Sequence, residues 1–223
     1  MNRARYDKRS GLSSQAIVGL SGIGLFLALS AVVQTGVVRE ADAGIALAAR
    51  GYASPVLDAA ASSAAVGLAF EFSLVYAGLG AIVLWRLGAG PWSLAPFGFL
   101  VLTVVELGFK LWLNQPPTPS ELHRPTHYPL FTLDLPGSFP SGHGIRSAFF
   151  SLLVAGLMSS RSVALWLGLV VAILLAASRV YLGVHWTSDV IAGVILGGSA
   201  ALILGRGAGD QLAASRLRAS GRG

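Results

Sequence analysis

The chain has 223 residues, of which 54% are hydrophobic and 12% charged, and its mean hydropathy of +0.68 excludes an ordinary soluble domain in favour of an integral membrane protein. Its net charge of +6 is spread over chain ends and the joints between apolar runs, which argues against nucleic acid and for anionic lipid headgroups as partner. Cysteine is absent, so disulfides and thiolate metal sites are excluded.

Crossing a bilayer takes roughly 20 helical residues. Six apolar runs approach that length, at 16–38, 64–86, 92–113, 143–159, 162–181 and 186–205, so the expected fold is all-α: a bundle of six transmembrane helices. The first run follows Arg3, Arg5, Lys8 and Arg9, as a signal peptide would, but it is too long and no small-residue cleavage site follows, so a retained span is expected. Residues 39–63 are moderately polar and suit either a plain connector or a helix lying along the outer surface. Glu71 lies deep in the second run, where a carboxylate needs a partner or water. Glu106 precedes Lys110 by one helical turn, a spacing that suits a pair steadying the lysine.

Residues 114–140 hold seven of the ten prolines and should form a stiff, extended connection, with His123 and His127 as exposed loop residues. Connections this long are more often functional than idle. No repeat or second domain is evident, so 1–223 is expected to be one domain with basic tails at 1–15 and 207–223.

Lysine and arginine placement sets the expected orientation. With a cytoplasmic N-terminus, the inner side carries Arg3, Arg5, Lys8, Arg9, Arg86, Arg161, Arg206, Arg216, Arg218 and Arg222, and both termini are inside. The outer side carries Arg39, Arg50, Lys110, Arg124 and Arg179, while Arg146 lies within a span. All five tryptophans, Trp85, Trp92, Trp112, Trp166 and Trp186, fall near span ends, where the headgroup layer suits them.

This topology gathers two polar stretches, "PSGH" at 140–143 and "SRVYLGVHWTSD" at 178–189, with Lys110 at one outer depth. His185 and Asp189 are four apart and share a helix face, so the carboxylate can take the hydrogen on one ring nitrogen and leave the other as a free lone pair, suited to a nucleophile or base. Arg179 offers a planar fork for two phosphate oxygens. Ser141 and Gly142 stand at a helix start, where backbone amides face an anion, and His143 in the first turn could give a proton to a leaving oxygen.

The two stretches resemble the second and third signature motifs of the type 2 phosphatidic acid phosphatase superfamily at every fixed position, and in their order and separation. The resemblance implies that His185 attacks phosphorus, that Asp189 orients it and that His143 protonates the leaving group. It also implies that Ser141, Gly142, Arg179 and Lys110 bind phosphate oxygens, with no metal or other cofactor. The first signature motif departs: seven residues after Lys110 stands Pro117 followed by Thr118 rather than Arg-Pro, and Gln115 stands where many bacterial members carry a further arginine. The later pair Arg124-Pro125 is expected to fold back as a displaced motif, with Arg146 as second candidate for the missing charge.

The function so implied is an extracytoplasmic lipid phosphate phosphatase of a plasma (bacterial inner) membrane. Its substrate would be undecaprenyl diphosphate, phosphatidylglycerol phosphate or phosphatidic acid. The competing class is a membrane transporter using Glu71, Glu106 and Arg146, or a lipid-binding protein descended from a phosphatase.

Overall fold

The computed structural model describes residues 14–52, 54–124, 135–158 and 161–220. Among these the regular elements are helical: α1 (Ser14–Gln34), α2 (Arg39–Arg50), α3 (Pro55–Gly67), α4 (Phe70–Arg86), a 3-10 segment (Gly90–Phe97), α5 (Gly98–Trp112), a short 3-10 turn (Ser120–Leu122), α6 (Gly142–Gly156), α7 (Arg161–Tyr181) and α8 (Thr187–Ser220). The expected N-terminal cluster at residues 3–9 and His127 lie outside the described residues.

Among the described residues, four stretches are long and apolar enough to cross a membrane: Ser14–Gln34, Gly90–Trp112, Ser162–Tyr181 and Thr187–Arg218. A fifth becomes possible if α3 and α4, bent by 59° at their junction, act as one broken span. The expected second run at 64–86 is therefore interrupted at Leu68 and Ala69, and its beginning belongs to α3. α6 is only 15 residues, about 22 Å at 1.5 Å per residue, against roughly 30 Å of hydrocarbon.

What α6 lacks in length it makes up in position. Eleven of its residues are buried, from Gly142 to Gly156, whereas only 22% of the apolar window of α1 and of α7 is covered by protein. A helix shielded by its neighbours over most of its residues is a core element whatever its length. Phe149, Ile145 and Leu153 of α6 share the main core with Phe26 of α1 and Phe99 of α5. Phe26 stacks on Phe139, just before the "PSGH" stretch, at 5.9 Å between centroids.

α8 lies so close to α6 that side chains do not fit between them. A β-carbon on Gly193 would stand 2.5 Å from the Ser141 carbonyl oxygen, and one on Gly197 would collide with the Ile145 carbonyl. From the other helix, a β-carbon on Gly144 would come within 3.1 Å of the Val190 carbonyl. Small residues at such a crossing let two backbones meet, which is how helices gain packing energy where lipid offers no hydrophobic drive.

Within residues 39–63 lie α2 and the first part of α3, so this stretch is helical over most of its length. Pro55 starts α3, where its missing N–H costs nothing. The basic tail expected from 207 is, up to Ser220, a continuation of α8, with Ala208 and Leu212 buried and Leu212 packing with Leu84 and Ala89. One turn separates Ala208 from Leu212, giving a narrow apolar stripe that the surrounding Arg, Asp and Gln obscure in an averaged hydropathy.

Substituting alanine at Gly193 or Gly197 should push α8 away from α6 and lower stability by about 1–3 kcal/mol, read as earlier thermal unfolding in detergent. Gly24→Ala, where nothing lies within 4 Å of the added carbon, should leave the transition unchanged or slightly raised.

Candidate active site

His185 sits in the turn between α7 and α8. The turn needs Gly183, at φ +71°, both for the left-handed conformation and because a β-carbon there would strike the Leu122 carbonyl. His185 Nδ1 lies 3.1 Å from Asp189 Oδ2, which also accepts the Trp186 backbone N–H at 3.1 Å. A carboxylate at this distance fixes the hydrogen on Nδ1 and leaves the lone pair on Nε2. The proton affinity of His185 is set below the ordinary 6.5, chiefly by burial, opposed by the bond and charge of Asp189 and assisted by Lys110 and Arg179. The ring is neutral at pH 7 and its free nitrogen is available.

The second motif is stitched to the third through backbone: the Ser141 N–H donates to the Asp189 carbonyl at 3.0 Å. Ser141 also caps α6, accepting from the Gly144 N–H at 3.3 Å. His143 Nε2 is 2.9 Å from the Ala65 carbonyl, and its Nδ1 is 3.4 Å from Arg146 Nη2. Arg146 in turn donates from Nε to the Leu68 carbonyl at 2.8 Å and pairs through Nη1 with Glu106 Oε2 at 3.4 Å. Both carbonyls come from the α3–α4 break. In a continuous helix Ala65 would accept from the N–H of Ala69, which here bonds Val66, and Leu68 precedes the first residue of α4.

Glu106 also holds Lys110, its Oε1 2.9 Å from Nζ. Its carboxylate presses against Gly142, where any β-carbon would collide with it. The sequence paired Glu106 with Lys110 by spacing but gave no sign of Arg146, 40 positions away, as second partner. Arg179 is the remaining cation. It acts electrostatically on both His143 and His185, and its buried Nε has no hydrogen-bond partner among the described residues. A buried donor left unpaired is costly.

The structure thus brings His143, His185, Asp189, Ser141, Gly142, Lys110, Arg146 and Arg179 together. Arg124 is not among them, contrary to the displaced-motif expectation. Its Nε donates to the Tyr181 carbonyl at 3.0 Å, its Nη2 to the Ala49 and Arg50 carbonyls at 3.1 and 2.9 Å, and the guanidinium lies 4.5 Å over the Tyr181 ring. Arg124 ties the loop to α2 and α7 because its donors match carbonyls at two helix ends. His123 is likewise engaged, its Nε2 3.1 Å from Thr118 Oγ1.

Gln115 and Asp42 form a support that sequence reasoning missed. Asp42 of α2, buried, accepts the Ser188 N–H at 2.9 Å and the Ser188 hydroxyl at 2.5 Å, with Gln115 Nε2 at 3.4 Å from the same carboxylate. This caps the start of α8 beside Asp189. The only signal available was an aspartate in the first turn of an alanine-rich segment. An apolar groove of about 630 Å³ begins at Leu68 and at Ser147, one turn along α6 from His143, and runs between α3, α4, α6 and α7 to Met158 and Val163.

Residues 92–211 match the family model described as the PAP2 superfamily. The chain is 34% identical over 152 residues to a decaprenylphosphoryl-5-phosphoribose phosphatase of Mycobacterium tuberculosis, covering 67% of this chain and 76% of that relative. It is 44% identical over 61 residues to an undecaprenyl-diphosphatase of Sulfolobus acidocaldarius, a match that spans 27% of this chain and only 28% of that relative's length. The crystal structure of a transmembrane PAP2-type phosphatidylglycerolphosphate phosphatase from Bacillus subtilis superposes with a TM-score of 0.66 at 24% identity, over 83% of this chain and 93% of that one, which shows the fold.

In an NMR titration His185 should take up its proton below pH 6.5. Asp189→Asn should lower the midpoint further and Lys110→Met raise it, each by up to about one pH unit. Because the folded ring holds its proton less firmly than the unfolded one, its stability contribution is complete above pH 6.5 and declines as pH falls toward the folded value.

Proposed function

The chain belongs to the PAP2 superfamily, and from that premise we propose that it is a lipid phosphate phosphatase working through a phosphohistidine. One observation carries the mechanism: the Ser141–Asp189 backbone bond joins the two motifs so that both imidazoles share the electrostatic field of one buried guanidinium, that of Arg179.

His185 Nε2 attacks phosphorus, the bond from phosphorus to the leaving oxygen breaks, and that oxygen takes a proton from His143. Water then attacks the phosphohistidine, the N–P bond breaks, His143 recovers the proton and inorganic phosphate leaves. Asp189 holds the Nδ1 hydrogen of His185 and offsets the positive charge that develops on the ring. Arg179, Lys110 and the first amides of α6 stabilise the oxygens. In this reading these cations do the work a metal would otherwise do.

The substrate class is a phosphate monoester or diphosphate on a membrane lipid, with undecaprenyl diphosphate, phosphatidylglycerol phosphate and phosphatidic acid as candidates. The apolar groove at Leu68 and Ser147 supports this reading, since a hydrocarbon chain could lie in it while the headgroup meets the histidines. Six spans, with the short α6 shielded at the centre and α3–α4 as a broken span, a site on the extracytoplasmic side of a plasma membrane and cytoplasmic termini near anionic headgroups, complete the proposal. It is supported by the excess of arginine on the loops assigned to the inner side.

Purified protein in EDTA should release phosphate from these lipids, with vanadate inhibiting. His185→Ala should lose about 10⁴-fold or more. Equal activity in that variant would remove His185 from its role, and transport without phosphate release would favour a carrier. For sidedness, a thiol reagent should label Ser120→Cys, unique in a cysteine-free chain, from outside intact cells. Labelling only from the cytoplasm would reverse the orientation.

A further inference from the structure

The hydrogen-bond roles at His143 are fixed by its partners. The Ala65 carbonyl can only accept and the Arg146 guanidinium can only donate. Nε2 therefore carries the hydrogen, Nδ1 carries the lone pair, and the ring is neutral. A neutral imidazole that surrendered its Nε2 hydrogen would become an imidazolate, a leaving form far too basic for catalysis. An acid at this position needs hydrogen on both nitrogens. As it stands, His143 cannot protonate a leaving oxygen.

Arg146 occupies the place of the second proton, and two groups beyond His143 keep it there. Its Nε is held by the Leu68 carbonyl at the helix break, and its Nη1 faces Glu106, which also binds Lys110. Glu106 is itself an anion seated against Gly142 at the start of α6, so a substrate phosphate approaching this helix end competes with it for the same cations.

We propose that Arg146 is a positioning residue that keeps His143 neutral until a substrate phosphate draws the guanidinium away from Nδ1, whereupon His143 gains a second proton and becomes the acid. This rests on the phosphatase reading above. The proton comes from solvent or from a singly protonated phosphate and binds Nδ1. As His185 Nε2 bonds to phosphorus and the P–O bond breaks, the hydrogen on His143 Nε2 gives up its bond to the Ala65 carbonyl and passes from Nε2 to the leaving oxygen. His143 is then neutral with its lone pair on Nε2, the form that accepts a proton from the hydrolytic water. When phosphate departs, Arg146 returns to Nδ1, one proton leaves to solvent and the resting state is restored.

The charges facing His143 agree with such coupling. Arg179 from α7, Arg146 from its own helix and His185 from the α7–α8 turn act on it directly. Glu106 from α5 and Glu71 from α4 act on it through Arg146, and Lys110 and Asp189 act through His185. The groups acting directly are positive or become so on protonation, and a bound phosphate offsets them.

The test compares the pH dependence of kcat/KM for wild type and Arg146→Met, using a short-chain phosphatidic acid and 4-nitrophenyl phosphate, whose leaving group departs without a proton. The alkaline limb for the lipid should lie about one pH unit or more higher in the variant, without a matching shift for the aryl ester. A raised KM with an unmoved limb would make Arg146 an ordinary phosphate ligand and overturn the proposal, as would a lower thermal stability with an unmoved limb. If Arg146→Met does not fold, wild type provides the reading. With ¹⁵N-labelled histidine, and His143→Gln for assignment, His143 should show the neutral Nε2–H tautomer alone and a doubly protonated ring with vanadate. A doubly protonated ring without vanadate, or a neutral one with it, overturns the proposal. Absence of phosphate release by wild type from both substrates would instead overturn the phosphatase reading.

Discussion

The contact on which the other features depend is the one between the backbones of α6 and α8. Gly144, Gly193 and Gly197 leave no side chain at the crossing, so the two chains approach until Ser141 and Asp189 share a hydrogen bond. Water-soluble bundles hold helices together by removing apolar surface from water. In lipid that term is weak, and close packing with satisfied polar groups replaces it. The crossing thus serves as fold and as site: the same approach that stabilises the pair sets the histidine of one motif at a fixed relation to the histidine of the other.

A charged cluster inside an apolar bundle raises a second constraint. Lys110, Arg146 and Arg179 face Glu106, Asp189 and Glu71, and isolated charges at this depth would be expensive. Two devices reduce the cost. Glu106 is shared between Lys110 and Arg146, so one carboxylate serves two cations. The break between α3 and α4 frees carbonyl oxygens that accept from His143 and Arg146, so irregular backbone lies where it lines polar protein rather than lipid. Arg179 differs in that its Nε has no such partner among the described residues.

Local pairs were legible in the sequence because helical spacing determines them. Glu106–Lys110 and His185–Asp189, each four apart, meet as their spacing requires, and the capping serine of α6 follows from its place before an apolar run. What was not legible depends on tertiary approach. Nothing about Arg124 distinguishes a phosphate ligand from a clamp on helix-end carbonyls until α2 and α7 are placed beside it. The helix break at Leu68 carries no proline, and a run of alanines on its N-terminal side argues for continuity. The extension of α8 past residue 207 was hidden for the opposite reason: its charges suggested a tail, while only Ala208 and Leu212 show the buried face.

The two histidines show how one side chain can be given opposite characters. Each ring has its Nδ1 engaged by a charged neighbour on its own helix or the helix that follows. At His185 that neighbour is a carboxylate, an acceptor, which draws the hydrogen to Nδ1 and leaves Nε2 with a lone pair. At His143 it is a guanidinium, a donor, which claims the Nδ1 lone pair and sends the hydrogen to Nε2. The sign of that neighbour therefore decides whether Nε2 carries the hydrogen or the lone pair, without any difference in the imidazoles themselves. Asp189 and Arg146 hold their places by unlike means, one through the start of α8 and the other through Glu106 and a broken helix. The character of each ring is thus fixed by elements remote in sequence from it, and a change in helix packing would alter the chemistry of the site before it altered the identity of any residue in it.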